Sequence, residues 1–188
     1  FGVGHKAKQF GLEGKIVFGS CSRWKSPHGA VKVSGLQESI MKKLPEDTFT
    51  VHDSLQTVEH SLEALIPFLE HYNPDLEIIP VIVPYMSFER IETISGVLAK
   101  AIKETMDEAG MVWGTGWSAV ISTDAVHYGN EDWGGSNYDR FGVDSAGYGM
   151  AVSYEEEIMN TMLAGDLTPE KIKGFSSCTV SEEDYHQY

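Results

Sequence analysis

Two polar side chains three positions apart, Asp124 and His127, stand directly after a run of strand-type residues in the stretch VISTDAVHYG, residues 120–129. A carboxylate can orient or charge an imidazole, and an imidazole can move a proton near neutral pH. Within a continuing strand the two would point to opposite faces. A turn beginning at Asp124 removes that restriction and lets both face one pocket. In open α/β sheets ligands bind beyond the carboxyl ends of the strands, which is where this pair would stand. The competing reading is an Asp that caps loop backbone beside a solvated His.

Other residues could border the same chemistry. His60 and Glu63 in VEHSLEALIPF are three apart on one helical face, nearly opposite the stripe of Leu62, Leu65, Ile66 and Leu69. They read as the flank of a cleft or as a solvated face with a weak His–Glu contact. His5 follows two glycines in FGVGHKAK. Neutral imidazole binds iron, zinc or copper, and glycines let backbone come close; a lone His is as readily a simple polar residue. GVG lacks the spacing of a phosphate loop. Cys178 has no His or acid nearby to lower its thiol pKa, and His28, His52, His71 and His186 read as surface residues.

The elements that must position these groups follow from periodicity. KIVFGS (15–20) reads as a short strand. Residues 34–44 have helical spacing, with Ser34 available as a cap and Pro45 as the stop. The spacing predicts a helix over 58–72 that Pro67 should bend. LEIIPVIVP (76–84) reads as one strand buried on both faces. Residues 87–110 form the longest predicted helix, its apolar face Ile91, Ile94, Leu98, Ile102 and Met106, with Gly110 as C-terminal cap. A strand over 118–124 follows. A long Gly-rich loop spans 128–149 and carries Trp133, Tyr138 and Tyr148. A helix over 153–165 opens with Ser153 and Glu156 in capping-box spacing. A last short helix has Thr168 as cap and Pro169 at its first position. Alternating helices and buried strands predict a single α/β domain over 1–188, with a largely parallel sheet flanked by helices.

Composition narrows the function classes. The chain has 188 residues, 41% apolar and 22% charged, an ordinary globular balance. Its net charge is −14, with 28 acidic residues against 14 Lys plus Arg. That argues against a nucleic-acid partner, whose phosphates require clustered cations. No apolar run reaches membrane-spanning length, so no membrane partner is expected. Cys21 and Cys178 lack CxxC spacing and are expected as free thiols in a reducing cytoplasm.

Three blocks taken together resemble one family. EHSLEALIPFL, then LEIIPVIV, then ISTDAVHYG look like the successive blocks of the Memo family, whose bacterial members are called AmmeMemoRadiSam system protein B. The resemblance implies a fold shared with class III extradiol ring-cleavage dioxygenases, which are non-haem Fe(II) enzymes. It also implies that the chain is the central part of a larger Memo-like domain. GVGHK stands where the family has G-P-S-H-H, so His5 matches a metal-ligand position and Lys6 replaces the second His. Two further ligand positions, a His in P-H-A-G-Y and a Cys before a glycine, would lie before Phe1 and after Tyr188. Asp124 and His127 match the polar pair beside the metal, His127 as acid/base residue; His60 and Glu63 match the helix flanking the cleft. The implied cofactor is iron (Fe2+), or another divalent metal, and the implied partner a small-molecule substrate, with a radical-SAM protein as pathway partner. The alternative is a non-catalytic module that holds a peptide or protein in the same cleft, with Trp133 and Tyr138 as anchors.

Overall fold

The computed structural model of the protein describes residues 1–123, 128–130 and 138–179. The chain divides into two compact units, 1–123 and 124–188. The first is built on two small sheets. One has the order β1 (Gly2–Val3), β7 (Ile82–Val83), β2 (Ile16–Phe18), β5 (Phe49–Val51); the other has β3 (Arg23–Ser26), β4 (Gly29–Val33), β6 (Glu77–Ile78). The pairs β1–β7, β2–β5 and β4–β6 are parallel, while β2–β7 and β3–β4 are antiparallel. The helices of this unit are α1 (Leu36–Lys43), α2 (Asp53–Val58), α3 (Ile66–Tyr72) and α4 (Phe88–Glu108). The protein is therefore α/β, as the alternation of elements predicts.

Strand β2 shows why the apolar runs become buried strands. Successive side chains alternate across a sheet, so Ile16 and Phe18 enter one core cluster while Val17 enters the other. The first cluster packs Ile40 of α1 and Ile94, Leu98, Ala101 and Met106 of α4. The second packs Leu55 of α2 with Leu62 and Ile82. A strand covered on both faces needs apolar residues at every position, and β2 has them. Helix α4 starts as expected, with the Ser87 hydroxyl accepting the Arg90 N–H at 3.3 Å, and ends at Gly110 with φ 67°. Of its predicted apolar face, Ile91 is exposed.

Three expectations are corrected. The segment 58–72 is not one helix: α2 ends at Val58, residues 59–62 are non-helical, and a short 3-10 turn, Glu63–Leu65, leads into α3. Pro67 does not bend a helix but opens one, in the first turn where its missing N–H costs nothing. The segment 76–84 is two strands in different sheets, β6 and β7. Pro80 lies between them and has no N–H to offer a ladder. Residues 118–123 form no strand among the described residues. Their backbone instead meets one residue, with the Phe1 amine donating to the Val120 carbonyl at 2.8 Å and the Ser122 N–H to the Phe1 carbonyl at 2.8 Å.

In the second unit Gly129 and Tyr138 exchange backbone hydrogen bonds at 2.8 and 2.9 Å. Helix α5 (Ser145–Ile158) begins inside the predicted 128–149 loop. Its cap is Asp144, whose carboxylate accepts the Gly147 N–H at 2.7 Å. Ser153 is thus mid-helix and donates back to the Gly149 carbonyl at 3.0 Å. A π-helical turn, Met159–Leu163, follows, and α6 (Pro169–Thr179) starts at Thr168 and Pro169 as the sequence predicts. Among the described residues, no helix is long and apolar enough to cross a membrane.

Two glycines of the first unit separate close packing from mere permissiveness. A Cβ on Gly4 would lie 2.9 Å from Ile82 Cγ2 and 3.1 Å from the Pro84 Cα, whereas one on Gly96 of α4 meets nothing within 4 Å. Gly4→Ala is expected to cost roughly 1–3 kcal/mol by overpacking. Gly96→Ala is expected to gain roughly 0.5–1 kcal/mol from helix propensity. Urea unfolding of the two variants checks the pair, and shifts of the same sign would refute the packing assigned to Gly4.

Candidate metal centre

Strand β1 carries His5 to its site. Gly2 and Val3 pair in parallel with Ile82 and Val83, and the Gly4 N–H donates to the Val83 carbonyl at 3.0 Å. His5 therefore leaves the sheet at the carboxyl end of a parallel strand, the place where α/β sheets bind ligands. On its other side β1 is gripped by the non-helical residues 59–62. A Cβ on Gly2 would stand 2.5 Å from Ser61 Oγ and 2.8 Å from Leu62 Cγ. The Ser61 hydroxyl donates to the Val3 carbonyl at 2.8 Å. Only a strand without a side chain at position 2 can be held this closely by Ser61 and Leu62.

That grip places Glu59 beneath His5. The Glu59 N–H makes the last bond of α2, to the Leu55 carbonyl at 3.0 Å, and the residue itself is extended. Its side chain is 1% exposed. Oε1 lies 2.9 Å from His5 Nδ1 and accepts the N–H groups of His60 at 3.0 Å and Ser61 at 3.3 Å. Oε2 accepts the Lys6 N–H at 3.3 Å. His60 Nδ1 is 3.4 Å from the same Oε1. The His5 and His60 rings stack, with centroids 5.1 Å apart and planes 19° from parallel. The His5 side chain is 29% exposed and that of His60 67%, so the corner opens outward from a buried carboxylate.

Burial acts to raise the Glu59 pKa; the His5 hydrogen bond, the Lys6 N–H, the charge of His5 and the His60 N–H outweigh it and hold the carboxyl below its ordinary range. The ligating atoms of His5, Glu59 and His60 all lie within 4.8 Å of one another. Two nitrogens and a carboxylate oxygen at that spacing form a donor set suited to a transition metal.

The sequence-predicted residues divide accordingly. His5 and His60 come together. Glu63 does not join them; it is exposed at the start of the 3-10 turn. Asp124 and His127 lie outside the described residues, as does Trp133. Tyr138 is buried, so it offers no exposed anchor. Glu59 was missed. The helix expected over 58–72 sets it at the edge of the Leu62 and Ile66 face, and only its place directly before His60 signals a shared site. His52, read as a surface residue, caps α2 by accepting the Leu55 N–H on Nδ1 at 3.0 Å. An apolar groove of about 510 Å³, lined by Phe18, Ile40, Ile66, Leu98 and Trp117 among others, includes none of the three clustered residues.

An α/β protein with an imidazole–carboxylate cluster at the carboxyl end of a parallel strand is the class these features define. A family model described as Memo-like protein matches residues 1–173, and the chain belongs to that family. It is 27% identical over 110 residues to a MEMO1 family protein of Methanothermobacter thermautotrophicus, covering 58% of this chain and 36% of that protein. It is 30% identical over 123 residues to one of Aquifex aeolicus (63% and 40%) and 28% over 125 residues to one of Pyrococcus furiosus (63% and 39%). The chain thus spans about two fifths of the length of these relatives. No solved structure matches it.

The lowered Glu59 pKa has a defined sign in stability. A carboxyl depressed in the folded state contributes stability that is fully present above its unfolded value, about 4.3, and is lost as pH falls through the folded value. Glu59→Gln is expected to flatten this acid limb, and Glu59→Ala, which strands three N–H groups, to cost roughly 3–5 kcal/mol. Denaturant titrations across pH check both; an acid limb identical to wild type in Glu59→Gln would exclude the assignment.

Proposed function

We propose that the protein holds a mononuclear non-haem metal ion, iron(II) or a divalent substitute, at His5, and uses it in dioxygenase-type redox chemistry on a small molecule. The fold would be of the class III extradiol dioxygenase type. The observation that carries this reading is the cluster of His5, Glu59 and His60 at the end of β1. Its donor chemistry fits the group: imidazole nitrogens suit iron, zinc and copper, and a carboxylate adds the charge a dication needs. Among the described residues, the ion-pair partners of the buried Glu59 anion are the two imidazoles.

A bound metal would supply Lewis acidity and electron transfer to substrate and dioxygen. The chain's own residues have separate tasks. His5 gives an electron pair to hold the ion. Glu59 supplies the fixed negative charge behind it, and Ser61 locks that segment to β1. His127 moves a proton at the substrate, and Asp124 sets its tautomer and charge; these two roles rest on the family resemblance.

Metal analysis tests the reading. Protein incubated with Fe(II) or Zn(II) and desalted is expected to retain about one ion per chain, and His5→Ala to weaken retention at least ~10-fold. Equal metal content in the two would remove His5 as a ligand. Oxygen uptake with Fe(II) and a panel of catechols tests the chemistry. Silence there, together with tight binding of a peptide, would favour the non-catalytic module.

A further inference from the structure

Three lysines gather at the sheet end where His5 stands. Lys6 follows it directly, with its N–H on Glu59 Oε2 at 3.3 Å. The Ala7 N–H donates to the Gly4 carbonyl and the Gln9 N–H to the Lys6 carbonyl, both at 3.1 Å. The chain thus turns with 3-10 geometry from Gly4 into the short helix Ala7–Phe10. Positions three apart in such a turn share a side, which sets Lys8 on the side of His5. Ala7, between the two lysines in sequence, is buried, and both lysines are exposed. Lys15 reaches the same end from another strand. Strand β2 runs antiparallel to β7, and β7 parallel to β1, so the start of β2 lies level with the carboxyl end of β1. The Gly14 N–H donates to the Tyr85 carbonyl at 3.2 Å and holds Lys15 there.

Among the described residues, none of the three lysines makes an ion pair, not even with Glu13, the exposed acid two positions before Lys15. Lys32, Lys43, Lys103 and Arg90 of the same unit each hold a carboxylate. The chain has 28 acidic residues against 14 Lys plus Arg. Such a surface repels an anion as a whole and draws it to where cations stand uncompensated. We infer that the ligand taken at this end of the sheet is an anionic small molecule. Its carboxylate or phosphate is held by the ammonium groups of Lys6 and Lys8, with Lys15 adding positive charge nearby. The inference rests on the metal reading above for the reaction, but not for the recognition of the anion. An ammonium is a point charge with three donors, so it takes a carboxylate or a phosphate oxygen alike.

Calorimetric titration of the protein, with and without bound Zn(II), tests this with three probes: catechol, 3,4-dihydroxybenzoate and 3,4-dihydroxyphenylphosphonate. The second and third add a carboxylate and a phosphonate to the first, so they separate the two anion chemistries. At least one of them is expected to bind about 10-fold or more tightly than catechol, the size of a charge-assisted hydrogen bond. The double variant Lys6→Gln/Lys8→Gln, with folding verified by circular dichroism, should abolish that preference. Lys100→Gln, on the exposed face of α4, should leave it as in wild type. Equal affinity for all three probes, no binding of either acid, or a preference that survives in the double variant overturns the inference. If Zn(II) is retained without any preference for the acids, the anion site fails and the metal reading stands. If the preference and its loss appear while neither Fe(II) nor Zn(II) is retained, the anion site stands and the metal reading fails.

Discussion

The docking of residues 59–62 against β1 is the constraint on which the site depends. Three things must hold at once. Helix α2 has to stop at Val58, so that Glu59 can turn inward. Gly2 must lack a Cβ, so that Ser61 and Leu62 can lie against the strand. The Ser61 hydroxyl must find the Val3 carbonyl. Together they carry a charged side chain into a nearly dry position, which is unfavourable unless its oxygens are hydrogen-bonded. Glu59 meets that condition through backbone N–H groups from both sides of the junction, Lys6 on the β1 side and His60 and Ser61 on its own. The carboxylate is thus a joint between two chain segments as well as part of a site.

The same joint explains where the core divides. Val17, Leu55, Leu62 and Ile82 pack on the face of the sheet under the site, while Phe18, Ile40, Leu98 and Met106 fill the other. Leu62, three residues beyond Glu59, belongs to that first cluster, so the apolar packing and the polar anchor hold the same short segment. A change in either should be felt by the other, since contacting residues couple in energy whereas distant ones add. The large apolar groove touches Leu62 but none of the site side chains.

Much of this was legible in the residues. Strand β2, helix α4 with its Ser87 cap, and α6 with Thr168 and Pro169 follow from patterns that local physics enforces. The α/β class follows from their alternation. The failures are local as well. The leucine spacing of 58–72 imitates a continuous helix, although Leu62 lies in the non-helical stretch, Leu65 in the 3-10 turn, and Ile66 and Leu69 in α3, a change that periodicity cannot register. Pro67 and Pro80 were the available warnings: one opens a helix, the other separates two strands. The long Gly-rich loop hid the start of α5, since glycines at 147 and 149 mask helical pattern and only Asp144 marks the cap. For the site, His5 and His60 were legible as types but not as neighbours. They are 55 positions apart, and nothing in their spacing implies a 5.1 Å stack. Asp124 and His127 lie outside the described residues, so their part rests on resemblance to the family.

Charge balance gives the corner its direction. Two imidazolium rings with centroids 5.1 Å apart would repel by about 1 kcal/mol in water and about 3 kcal/mol at an effective dielectric of 20. One carboxylate offsets one such charge, not both. With both rings neutral, the Glu59 carboxylate leaves a negative charge here among the described residues, softened by three amide dipoles. A single dication before the two rings, as proposed above, would balance this charge without placing protons on both, because neutral imidazole is the form that ligates.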